Sequence, residues 1–371
     1  MEFNVSTATL EKELAFVQGV AERKATKNAT PVLRNLKLEA GEPGTLRIIG
    51  SDRTTTLITV FEADVVKPGS ALVNAEKFFG LSKQLPKGTV NVQREKNDRV
   101  KFKLEEITCR LVGDPVDSYP AVPEPQTPTV EINAEILRTM IHFVLFARTE
   151  EESRFDLSCI KLVIDSKAAM MVASNGHRLS VVKNSTIKSK EKVSTLVPGS
   201  ALQELAKLAA AHEGTVGLKT DDNHAYFTVG HRTLITTLTA GQFPNFKQVL
   251  PQHNNMLMKV NAAALLESIR RVGLVATDEH HRVVFSLKGK TLDISANAGS
   301  HGDAHERLTV KEYDGEPIEI GFNVKYLADY LAVVGGADLT VKFKDDSTQV
   351  EFSPTLTPDT ENRYVLCPVR K

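Results

Sequence analysis

His177 and Arg178 stand side by side in the run SNGHRLS at 174–180, and an imidazole beside a guanidinium is a pair that acid–base chemistry can use. The rest of such machinery is missing from the sequence. It has no Ser-His-Asp order, GxSxG elbow, HExxH helix or Gly-rich phosphate loop. His280 and His281 follow Asp278 and Glu279, which are the residue types of a metal site. Neighbouring side chains on a strand or loop point apart, so the segment reads as a solvated turn. His231, His301 and His305 show no ligand spacing. Cys109, Cys159 and Cys367 are odd in number, widely spaced and free of CxxC, which predicts free, partly buried thiols. The residues show none of these catalytic motifs and no clear metal-ligand spacing, though an enzyme stays the main alternative class.

Charge narrows the field further. Lys+Arg and Asp+Glu are both 46 in 371 residues, a formal net charge of zero. A simple electrostatic nucleic-acid binder is usually basic overall. Nucleic-acid binding would therefore need positive charge gathered on one face, and it would be weak and salt-sensitive. The composition, 41% hydrophobic and 25% charged, is that of a globular protein. No stretch approaches the ~20 apolar residues of a membrane helix, and MEFNVSTATLEKELAF lacks the layout of a signal peptide. A cytoplasmic protein is expected.

The elements that must carry these residues occur three times. Amphipathic helices are predicted over Thr9–Ala21, Glu135–Ala147 and Ala264–Ala276. Their apolar stripes at i, i+4 and i+7 are Leu10, Leu14 and Val17; Leu137, Ile141 and Val144; and Leu265, Ile269 and Val272. The copies lie 127 and 128 residues apart (137 − 10 and 265 − 137). A short strand precedes each (FNV, VEI, MKV), and a strand running into a polar turn follows, aligned at Ser51, Ser174 and Ala296. A second helix comes after a strand aligned at Val73, Val197 and Gly321. Alternating strands then align at Phe102, Phe227 and Phe352. The first two units end in Pro-bearing segments, SYPAVPEPQTP and QFPNFKQVLPQ, which should leave the sheet and act as links. Three domains are expected, at 1–125, 126–252 and 253–371.

The fold class expected is α+β, with two helices against largely antiparallel sheets in each domain. Three equal units can form an arc, and two arcs closing head to tail give a six-domain ring with twelve helices. Helices lining such a ring would turn basic residues inward. Candidates are Lys12, Lys77, Lys83, Arg138, Lys207, Arg270, Arg271 and Lys325, with Arg23, Lys24 and Lys27 after the first helix.

At this point the chain resembles a known family, the β subunits of bacterial DNA polymerase III, the sliding clamps. The likeness spans essentially the whole chain. It rests on SNGHRLS at 174–180, QFPNFKQVLP at 242–251, EIGFNVKYLADYL at 319–331 and YVLCPVRK at 364–371, in that order. The resemblance implies a homodimeric ring around double-stranded DNA, helices inside and sheets outside, acting as a non-catalytic processivity factor. Linkage would be topological, so weak, sequence-independent phosphate contacts suffice and permit sliding.

The resemblance also implies a pocket for partner peptides. The implied partners are the DNA polymerase III alpha subunit, the clamp loader, and other polymerases, ligase and mismatch-repair proteins carrying clamp-binding motifs. One wall carries over as Leu157, Ser174, Gly176, His177, Arg178 and Leu179, and another part as Pro244, Gln248 and Val249. The C-terminal segment supplies Val365, Leu366, Cys367, Pro368, Val369 and Arg370, with Thr348 nearby. The leucines and valines would bury a partner's anchors. Gly176 would allow close approach, and Arg178 would donate to the partner backbone. On the DNA side the resemblance points to Lys27, near the family's Arg after the first helix; with Arg23, Lys24, Lys77, Arg138 and Lys207 of the ring reading it makes the DNA-facing set. For dimer closure it points to Cys109 and Leu111 meeting Leu274 and Val275.

The sequence departs from the family pattern in four places. Gln248 stands where many members have Arg, and Cys367 where Met is usual. Glu76 and Gly199 replace basic residues that some clamps carry. The competing reading is a specialised or drug-tolerant second copy acting mainly as a partner-binding scaffold.

Overall fold

The computed structural model describes residues 1–21, 30–151, 155–276, 281–297, 299 and 302–369. Arg23, Lys24, Lys27, Asp278, Glu279, His280, His301 and Arg370 lie outside the described residues. The chain forms two compact units, Met1–Leu137 with Ser200–Leu238 and Arg138–Gly199 with Thr239–Lys371.

Among the described residues the six long helices are α1 (Thr7–Val17), α2 (Ala75–Gln84), α3 (Ala134–Leu145), α5 (Gly199–Ala210), α6 (Ala262–Gly273) and α7 (Val324–Val334), with a one-turn α4 at Phe155–Ser158. Five of the six begin where a strand ends on a capping side chain. Ser6 accepts from Thr9 N, Asn74 from Lys77 N, Asn133 from Ile136 N, Asn261 from Ala264 N and Asn323 from Tyr326 N. Each cap satisfies an otherwise orphaned amide of the first turn. It also explains why α1, α3 and α6 start one or two residues earlier than their apolar stripes suggest. The stripes themselves are buried in all three helices, as are Phe102, Phe227 and Phe352.

The order strand, helix, strands, helix, strands recurs three times along the chain, as the repeat predicts. Among the described residues, each of the four sheets is antiparallel throughout. In the first unit a five-stranded sheet ends on Ile107–Val112. An eight-stranded sheet there joins Thr55–Glu62 of the first repeat to Arg232–Thr237 of the second. In the second unit a nine-stranded sheet joins Arg178–Asn184 to Thr360–Leu366, and a four-stranded sheet ends on Asp303–Thr309. Hydrogen bonding therefore runs across the repeat borders, from one repeat's hairpin to the last strand of the next.

The first unit buries one charged cluster. Arg232 donates to Glu13 through Nε (2.8 Å) and Nη2 (2.6 Å), Thr59 Oγ1 adds 2.7 Å, and the guanidinium lies 4.3 Å over Phe16. Burial pushes the Glu13 carboxyl up, but the hydrogen bonds from Arg232 and Thr59 outweigh it and leave the group below its ordinary range. A buried pair this fully partnered is costly to break from one side.

Candidate functional site

The hairpin Ala169–Ser174 and Arg178–Asn184 turns through Asn175, Gly176 and His177. Its chemistry is local. Asn175 Oδ1 accepts from His177 N and Arg178 N, each at 3.0 Å. Ser174 Oγ donates to Arg178 O at 2.8 Å and accepts from Gly176 N at 3.1 Å. Gly176 sits at φ 92, a conformation that L side chains resist. The turn is thus fixed by its own side chains.

Strand Arg178–Asn184 pairs with Thr360–Leu366, setting Leu179 opposite Val365. The pairing continues as Cys367 N donates to His177 O at 3.0 Å. Over this face folds the Pro-bearing segment 243–250, tightened by a 3-10 turn at Phe246–Gln248. Val172, Leu179, Val181 and Val365 form the apolar floor, with Phe243, Phe246 and Leu250 packed against it. Between floor and segment lies a cleft of ≈ 260 Å³.

Ten of the residues expected at a pocket line this cleft: Leu157, Ser174, Gly176, His177, Arg178, Leu179, Pro244, Val249, Val365 and Cys367. Phe243 and Phe246 line it too and were not among them. Both flank Pro244 in the quoted QFPNFKQVLP run, and two aromatics bracketing a proline were the available signal. Several expected residues lie elsewhere. Leu366 does not line the cleft, since alternation along the strand turns it to the opposite face from its neighbours Val365 and Cys367. Val369 N donates to Gly321 O at 2.8 Å, and neither it nor Pro368 or Gln248 lines the cleft. Thr348 is held by Asp345, to which it donates through N (2.6 Å) and Oγ1 (2.8 Å). Amide hydrogen bonds from Ser347, with those from Thr348, pull that carboxyl down to about 2.

Arg178 lines the cleft and is also bonded inward. Its Nη1 donates to Asp329 Oδ2 at 2.8 Å, Nη2 donates to Phe146 O, and the guanidinium lies 4.5 Å over Tyr326. With the side chain 6% exposed, Nη1 and Nη2 are committed within the protein and brace the turn, while Nε is buried without a hydrogen-bond partner. His177 stacks on Tyr326, centroids 6.4 Å apart. Burial pushes the Cys367 thiol up, so it behaves as an apolar wall.

Elsewhere, Lys77, Arg138 and Lys207 are exposed on α2, α3 and α5, and Lys207 pairs with Glu204 at 2.7 Å. Partial burial, then the charge of Arg138, holds His142 below its ordinary range. Cys109 and Leu111 are half-buried on the edge strand Ile107–Val112, which also exposes Val112 at 71%. Leu274 is 84% exposed just after α6, and Val275 is half-buried. No group of three His, Cys, Asp or Glu is placed to hold a metal among the described residues. Among them, too, no helix is long and apolar enough to cross a membrane.

Comparison with known proteins covers nearly the whole chain. Residues 1–123, 131–245 and 247–370 match the N-terminal, central and C-terminal domains of the family described as DNA polymerase III beta subunit. A beta sliding clamp from Pseudomonas aeruginosa is 30% identical over 373 residues, covering 100% of both chains. One from Bacillus subtilis is 25% identical over 349 residues, covering 90% of this chain and 92% of that protein. A crystal structure of the P. aeruginosa clamp bound to griselimycin superposes with a TM-score of 0.92 at 28% identity, covering 100% of each chain.

Proposed function

The chain belongs to the DNA polymerase III beta subunit family, the sliding clamps, and on that premise we propose how its parts divide the work. It is a ring-forming processivity factor that encircles duplex DNA and tethers its partners through the cleft at the 174–178 turn. The observation that carries this reading is the family match to three consecutive domains across the whole chain. Two copies close head to tail, each divided at 1–125, 126–252 and 253–371. Closure sets the edge strand carrying Cys109 and Leu111 against the exposed Leu274 and Val275 of the other copy. An unpaired edge and a large exposed leucine favour such a role, since both are otherwise liabilities.

Duplex DNA is held by enclosure. Exposed Lys77, Arg138 and Lys207 offer phosphate contacts without base readout, and Arg23, Lys24 and Lys27 complete the proposed set. Nothing in this scheme calls for catalysis. Polymerase III alpha subunit, clamp loader, other polymerases, ligase and mismatch-repair proteins would insert a short hydrophobic segment between Leu157, Leu179, Val365 and the Phe243–Phe246 wall. All of this takes place in the cytoplasm.

Two measurements test the reading. Light scattering should give about twice the 40.7 kDa chain mass; a monomer at micromolar concentration counts against the ring. The protein, once loaded, should stay on nicked circular DNA and run off after linearisation. Equal retention on both forms excludes enclosure.

A further inference from the structure

A second groove, of ≈ 370 Å³, lies on the same sheet face, and Phe246 is common to both. Strand register places it. Val172 faces Val181 and Val181 faces Arg363 across the sheet, while Met170 faces Lys183 and Lys183 faces Glu361. The apolar stripe that floors the first cleft therefore runs on past Phe246 to Met170, Val181 and Leu250.

The rim changes character along the way. The first cleft is bounded by apolar and neutral groups apart from the inward-bonded Arg178 and from His177. The second groove is bounded by Lys183, Lys247 and Arg363 against the single carboxylate of Glu361. Arg363 is occupied by Glu351 at 2.5 Å. Lys183 and Lys247 are exposed, and their side-chain ammonium groups make no hydrogen bond or ion pair with another described residue. In a chain whose net charge is zero, this is a local excess of cations beside apolar surface.

We propose that the second groove receives an acidic, apolar-anchored extension of the same partner segment that fills the first cleft. The proposal rests on the reading of that cleft as a peptide site. The occupant is an extended peptide crossing Phe246, with one large apolar side chain against Met170 and Val181 and carboxylates beside Lys183 and Lys247. Partners carrying the extension would outcompete those with the hydrophobic core alone, which gives one chain graded affinities for several partners.

The test uses the full chain and fluorescence anisotropy with three labelled peptides. The first is a short neutral peptide with adjacent Leu and Phe. The others carry Asp-Leu-Glu-Glu added before or after that core. One extended peptide should bind about tenfold tighter than the core, combining a buried leucine with exposed ion pairs, and the gain should shrink at about 0.5 M salt. Lys183→Glu with Lys247→Glu should erase the gain and leave the core peptide's Kd unchanged. Equal binding of core and extended peptides by the natural chain overturns the groove proposal while the cleft reading stands. A double variant that weakens all three peptides alike overturns it as well. If none of the peptides binds, the cleft reading falls and carries this one with it. A changed light-scattering mass in the double variant would assign the face to a second copy of the chain instead.

Discussion

The turns at 51–55 and 174–178 are built alike, yet their surroundings differ. In the first, Asp52 Oδ1 accepts from Thr54 N (3.0 Å) and Thr55 N (2.7 Å), and Ser51 Oγ donates to Thr55 O at 3.2 Å. Asn175 and Ser174 make the same bonds in the second. Each hairpin then pairs with the last strand of the following repeat. The Pro-bearing links part company. Tyr119 is 7% exposed within a cluster of Ile49, Ile58, Leu72, Tyr226 and Ile235, and that burial pushes its phenol well above its usual range. Its counterpart Phe243 is half-buried at the wall of a cleft. One architecture gives a sealed face or an open cleft according to how deeply the link's aromatic sinks.

The sharpest way to break this comparison is to truncate the two aromatics. Tyr119→Ala should cost about 3–5 kcal/mol in urea unfolding, the usual range for a buried aromatic. Phe243→Ala should cost less than half as much. Equal losses would mean that the two links are equally structural. Next in size is binding: Leu179→Ala or Phe246→Ala should each weaken a hydrophobic peptide by about 2–4 kcal/mol in calorimetry, as for a central anchor. No matching loss is expected from Val369→Ala, because that residue does not line the cleft. A loss at Val369 would move the site.

Acid should also separate the regions. Glu13 has a folded pKa below its unfolded value, so its stabilisation is present above the unfolded pKa near 4.5 and is lost as pH falls through the folded one. Glu13→Gln should lower stability at pH 7 and flatten the acid limb of a denaturation series. An unchanged limb would place the acid sensitivity elsewhere. The smallest effect concerns the turns themselves. Gly176→Ala should cost about 1 kcal/mol because of its positive φ, whereas Arg53→Gly, at φ 77 in the matching position, should stay within about 1 kcal/mol of neutral. Thermal unfolding of the pair would show whether the turns are equivalent.

Much of this was legible in the sequence. The threefold order of elements follows from helical and strand periodicities, and the stripe Leu137, Ile141, Val144 could face only a core. Ten cleft residues came from the family resemblance. What the geometry places elsewhere has two physical origins, one local and one long-range. Carrying the run 365–370 over whole ignored the period of two that turns Leu366 away from the cleft. Arg178 looked available because nothing local reveals Asp329, 151 residues away, as its partner. The joining of Thr55–Glu62 to Arg232–Thr237 depends on long-range pairing that no local pattern encodes.

The pairing of Arg178–Asn184 with Thr360–Leu366 has a consequence for synthesis. One flank of the cleft, Val365 and Cys367, is translated almost two hundred residues after the hairpin it completes. A chain that stops short of Val365 therefore lacks one wall of the cleft, however well its hairpin is formed.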